Sequence, residues 1–153
     1  LLIHRRRPPN LGLYSPIGGK LKITEGESPG KCAVREIEEE TGLRINGRDL
    51  HLAGIVSEAD YEDRNHWLMF LYEVIRPVQV DRRTCGEGQL EWHAREAVAQ
   101  LAIPRTDQEV IWPLFWSYRG RFFSVHINCR GGDLNWHQDQ PAEDCTWTGG
   151  WHE

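Results

Sequence analysis

At 153 residues, with 39% hydrophobic and 27% charged side chains, the chain has the size and balance of one globular domain able to bury a core. Its formal charge of −5 argues against a nucleic-acid-binding surface, and no apolar run approaches the roughly 18 residues that span a bilayer. The start, LLIHRRRPPN, puts its charges after its apolar residues, the reverse of a secretion signal, so a cytoplasmic protein is expected. The chain opens without Met and inside strand-like residues, so a further N-terminal segment is expected ahead of it.

Leu1 to His4 reads as the end of a strand. Arg5, Arg6 and Arg7 follow, either as a solvated strand end or as a phosphate clamp, since guanidinium matches phosphate oxygens in pairs. Pro8-Pro9-Asn10 and Gly12 make a loop, Tyr14 to Ile17 a short extended piece, and Gly18-Gly19 lead into a helix. Ser28 suits the N-cap, Pro29 the first helical position and Gly42 the residue past the end. Ala33, Val34, Ile37 and Thr41 recur at helical spacing and should face the core.

Leu50 to Val56 and Trp67 to Ile75 read as strands, joined by a polar loop from Glu58 to Asn65. Val78 to Gly88 reads as a loop, Gln89 to His93 as a strand and Ala94 to Leu101 as a short helix. A second helix runs from about Asp107 to Trp116, with Thr106 or Asp107 as its cap. Residues 121–138 pattern as a β-hairpin. From Pro141 the chain loses periodicity, so one domain over 1–140 and a disordered tail over 141–153 are expected. Cys32, Cys85, Cys129 and Cys145 form no C-x-x-C pair, which fits reduced thiols, and their spacing to nearby histidines matches no common zinc pattern.

The chemistry concentrates in Gly18 to Leu43, where Glu36, Glu38, Glu39 and Glu40 crowd into five positions. Carboxylates three or four apart on one helix face repel by a few tenths of a kcal/mol per pair. A hard divalent cation reverses that sign, because Mg²⁺ takes oxygen ligands and is held by a few carboxylates plus substrate phosphates. Glu36 and Glu40 are the best pair, with Glu39 and Glu27 close behind, and Arg35 stands one turn before Glu39. Glu38 points elsewhere. The other reading is a solvated acidic face.

Arg35-Glu36-Ile37-Glu38-Glu39-Glu40-Thr41-Gly42-Leu43, with Glu27 eight residues before Arg35, resembles the Nudix box. One departure stands out. Seven residues separate Gly19 from Glu27 where the box has five, so Lys20 to Gly26 carries a two-residue insertion. The resemblance implies an α/β Nudix fold, an α/β/α sandwich around a mixed sheet, here with an extra C-terminal hairpin. It implies hydrolysis of a nucleoside diphosphate linked to another group. Mg²⁺ (or Mn²⁺) would be held by Glu36, Glu39, Glu40 and the Gly19 carbonyl, Glu39 would be catalytic, and Arg35 would orient the glutamates.

Outside the box the chain resembles the MutT-like branch, which acts on (oxidised) nucleoside triphosphates. That implies Arg6 as a phosphate contact, Asp63-Arg64 near the nucleotide and Asp107 as a base reader. It also implies Glu87, or secondarily Glu91, as general base or additional ligand. ADP-ribose, another nucleotide-sugar or a dinucleoside polyphosphate are alternative substrates, and a non-catalytic nucleotide sensor is a third reading. The hairpin is expected either to cover a sheet edge or to join the interface of a homodimer.

Overall fold

The structure is a computed structural model and describes residues 1–62 and 65–141. Asp63, Arg64 and the tail from residue 142 lie outside the described residues, and with them the expectations placed there. The chain divides into two compact units, Leu1–Leu52 with Tyr72–Pro113, and Ala53–Leu71 with the chain from Leu114 onward.

In the first unit a three-stranded antiparallel sheet runs in the order β2-β1-β5, built from β1 (Leu2–Arg5), β2 (Tyr14–Ser15) and β5 (Gly88–Glu91). Leu2, Ile3 and Leu90 are buried. Arg5 pairs with Gly88, where β5 comes so close to the His4 carbonyl that a side chain at 88 has no room. The helix α1 (Pro29–Thr41) starts and stops where its caps dictate. Ser28 Oγ accepts from the Lys31 N–H at 3.4 Å, and Gly42 takes a left-handed φ of 75°. Thr41 is buried, whereas Ala33, Val34 and Ile37 are only half-buried.

The helix expected over Ala94–Leu101 is a single turn, α2 (Arg95–Val98). Helical backbone after Pro104 begins at Arg105, so neither Thr106 nor Asp107 is a cap, and Thr106 makes no capping bond. Asp107–Ile111 is a π-turn, closed by the Trp112 N–H on the Asp107 carbonyl, and α3 (Trp112–Ser117) follows. Pro113 explains the widened turn. It has no N–H to give to the preceding turn and its ring crowds the carbonyl four residues back, so the backbone loosens there.

The sheet β4-β3-β6-β7, most of it in the second unit, is built from β3 (Leu50–Tyr61), β4 (Asn65–Val74), β6 (Phe123–Asn128) and β7 (Asn135–Gln140). The expected hairpin is present as β6 and β7, and β6 covers β3 in parallel, from Gly54↔Phe123 to Ala59↔Asn128. That pairing corrects the expected loop from Glu58: β3 continues to Tyr61, and β6 supplies its hydrogen-bonding neighbour as far as Ala59. Val56, Phe123, Val125 and Ile127 form the buried face, and Ala53 is buried as well. Gly54 makes room for Phe123, since a Cβ there would sit 2.7 Å from the ring. Among the described residues no helix is long and apolar enough to cross a membrane.

Candidate active site

Arg35 is the hub of the acidic helix. Its Nε donates to Glu27 Oε1 at 2.7 Å and its Nη2 to Glu27 Oε2 at 2.9 Å, a two-pronged grip. Its Nη1 reaches Glu36 Oε1 and, at 3.2 Å, Glu39 Oε2. Arg35 and then the Lys22 N–H hold the Glu27 carboxyl down to about 2. The Glu27 carboxylate in turn raises the Arg35 guanidinium above its already high value. Three of the sequence-singled glutamates thus share one guanidinium. Glu38 does not: it is exposed and pairs with Arg44 at 2.9 Å.

The two extra residues before the helix are absorbed locally. Ile23–Glu25 winds into a 3₁₀ turn that ends at Gly26, whose φ is 64°. Lys22 N–H donates to Glu27 at 2.9 Å and Glu27 N–H to the Lys22 carbonyl at 3.3 Å, closing the insertion on itself. Gly18-Gly19 therefore still meets α1. Gly18 N–H donates to Glu40 Oε2 at 3.3 Å, and a side chain at Gly19 would collide with the Glu36 carboxylate. The Gly19 carbonyl accepts weakly from the Cys32 thiol at 3.8 Å.

Glu40 is buried, at 6% exposure, while Glu39 keeps 55% of its side chain exposed. Burial pushes the Glu40 carboxyl up to about 7, and the negative charges of Glu36 and Glu87 add to the rise against the Gly18 N–H and Arg5. Glu87 thereby stands in the electrostatic neighbourhood of Glu40. Its carboxylate takes Arg5 Nη2 at 2.6 Å. Glu91, the second candidate, instead accepts from the Tyr14 hydroxyl at 2.9 Å.

Arg5, expected with Arg6 and Arg7 at a solvated strand end or in a phosphate clamp, is instead largely buried and paired with Glu87. The signal was strand alternation: Ile3 is buried, so Arg5 shares its side of β1, and its side chain is 10% exposed. Arg6, the phosphate candidate, is exposed, and its backbone N–H donates to the Glu87 carbonyl at 2.8 Å. Asp107 is half-buried in the first turn after Pro104.

Among the described residues, no group of three or more His, Cys, Asp or Glu side chains is by itself disposed to hold a metal ion. The donor set still fits a hard cation. Glu40 is a buried carboxylate in the field of two others, which a cation would relieve. Mg²⁺ completes its shell with water and substrate phosphates rather than in an all-protein cage.

The NUDIX domain family profile matches residues 1–113. The chain belongs to the Nudix family. Hydrolases of this family act on acid anhydrides in phosphorus-containing compounds. Among solved structures it is similar to a mutator MutT protein from Bacillus halodurans. The two share 24% identity and a TM-score of 0.71, over 90% of this chain and 88% of that one. That likeness shows the Nudix α/β fold. A 50-residue stretch is also 48% identical to part of an octanoyltransferase from Myxococcus xanthus. That stretch is 33% of this chain and spans only 13% of that relative.

Proposed function

We propose that this Nudix chain is a Mg²⁺- or Mn²⁺-dependent pyrophosphohydrolase acting on a nucleoside triphosphate, oxidised or not, and releasing pyrophosphate or phosphate. The observation that carries the reading is Glu40, buried against the Gly18 N–H in the field of Glu36 and Glu87. Glu36, Glu39 and Glu40 are the proposed ligands, with the Gly19 carbonyl. When bound, the cation would polarise the diphosphate and make water a better nucleophile.

The chain's own residues have separable tasks. Arg35 fixes the carboxylates through its grip on Glu27 and its contacts to Glu36 and Glu39. Glu87, tethered by Arg5, is the group proposed to take a proton from water or to add a ligand. Arg6 and Arg64 are assigned to phosphate and Asp107 to the base. The resemblance outside the box, at Arg6, Asp63-Arg64 and Glu87, supports a triphosphate over a nucleotide-sugar. In this reading residues 1–140 act as one hydrolase domain on a free nucleotide in the cytoplasm, with neither nucleic acid nor membrane as partner.

A panel of nucleotides and nucleotide-sugars, assayed with Mg²⁺ for released phosphate or pyrophosphate, tests the reading. Turnover should be highest on a nucleoside triphosphate. Glu39→Gln and Glu40→Gln should each lower it by several orders of magnitude with the fold intact. Tight nucleotide binding without turnover on any member would replace the enzyme with a sensor.

A further inference from the structure

We propose that Arg82, far from the Nudix box in sequence, is a positioning residue that holds the carboxylate helix in register with the Glu87 hairpin. The proposal rests on the reading above in that it takes Glu36, Glu39 and Glu40 as cation ligands.

A helix leaves its last carbonyls without intrahelical partners, and its C-terminal end is electronegative. In α1 that end is unusually burdened, because Glu38, Glu39 and Glu40 all stand in the last turns and no basic residue does. Gly42 N–H takes the Glu38 carbonyl at 2.8 Å and Thr41 Oγ1 takes the Ile37 carbonyl at 2.5 Å. The Glu39 and Glu40 carbonyls go to Arg82, whose Nη1 donates to them at 2.8 and 3.4 Å. Gly42 leaves space for this guanidinium, since a Cβ there would lie 3.3 Å from Arg82 Nη2.

The next residues build a tight hairpin. Leu90 N–H donates to the Arg83 carbonyl and Cys85 N–H to the Gly88 carbonyl, each at 2.9 Å, and Thr84 bridges Gln89. Glu87 sits at its tip, held by Arg5 at 2.6 Å. One short segment thus clamps the backbone of two proposed ligands at its base and presents the candidate base at its tip. Loosening Arg82 should therefore disturb cation binding without touching a ligand side chain.

The experiment compares Arg82→Gln, Arg82→Lys and Arg83→Gln with wild type, well below each melting temperature. Mg²⁺ affinity is read by calorimetry without substrate, and amide hydrogen exchange is read at the end of α1. Arg82→Gln should weaken Mg²⁺ about tenfold and speed exchange at Gly42 about tenfold, the usual scale for losing a residue that orients ligands. Arg82→Lys, which keeps the charge but loses the fork, should fall between, and Arg83→Gln should match wild type. Mg²⁺ affinity in Arg82→Gln within about twofold of wild type would overturn the proposal. If wild type binds no Mg²⁺, the cation reading fails. Exchange then decides: faster in Arg82→Gln keeps the positioning role, and unchanged removes it.

Discussion

Arg35 and Glu27 form a fork, with Nε at 2.7 Å from one carboxylate oxygen and Nη2 at 2.9 Å from the other. A lysine keeps the charge there but offers a single point in place of the planar pair. Arg35→Lys should therefore leave the protein folded and lower kcat about ten- to hundredfold, as loss of a ligand-orienting partner does. Steady-state hydrolysis beside circular dichroism checks this. Wild-type kcat in a folded variant would remove Arg35 from the machinery.

The same fork sets an acid dependence. The Glu27 carboxyl is held at about 2, below its ordinary 4.5, first by Arg35 and next by the Lys22 N–H. A carboxyl depressed in the folded state stabilises the fold above its unfolded value and loses that contribution as pH falls through the folded one. The melting-temperature gap between wild type and Glu27→Gln should be full above pH 4.5, shrink between 4.5 and about 2, and close below that. A gap that widens on acidification contradicts the fork as the cause.

What the sequence disclosed and what it hid follow from range. The bounds of α1 were legible because Ser28, Pro29 and Gly42 act within one turn of themselves. The placement of Glu36 and Glu39 beside Arg35 was legible for the same reason, since helical spacing is local. The strand character of Glu58 and Ala59 was hidden, because a polar run becomes a strand only when a distant one, here β6, arrives to pair with it. The Arg82 clamp on α1, spanning 43 residues, carries no local pattern at all. The inward turn of Arg5 was readable in principle from Ile3, but three consecutive arginines obscure alternation unless the strand register is known.

Gly54 shows how tightly the β3–β6 pair depends on a missing side chain. A Cβ at Gly54 would lie 2.7 Å from the fully buried Phe123 ring. Both strands are fixed by their parallel ladder, so the ring has to give way. Gly54→Ala should cost about 1–3 kcal/mol by overpacking, read by urea denaturation. Phe123→Leu placed in the Gly54→Ala background should cost less than Phe123→Leu alone. Independent, additive effects would show that the two residues do not compete for space.

Arg5 and Arg6 are adjacent yet should separate kinetically. Arg5 is held by two fixed partners, donating from Nε to the Pro9 carbonyl and from Nη2 to Glu87, each at 2.6 Å. Arg5→Gln releases the Glu87 carboxylate, so kcat should fall about tenfold with KM little changed, because positioning of a reacting group is lost. Arg6 points its side chain to solvent while its backbone is tied to Glu87, which leaves the guanidinium available to an incoming phosphate. A charge-assisted hydrogen bond of about 1.5–3 kcal/mol, present in the ground state and transition state alike, appears in KM. Arg6→Gln should raise KM roughly ten- to hundredfold with kcat nearly intact. The reverse pattern, with KM following Arg5 and kcat following Arg6, would mean that substrate breaks the Arg5–Glu87 pair and takes Arg5 for itself.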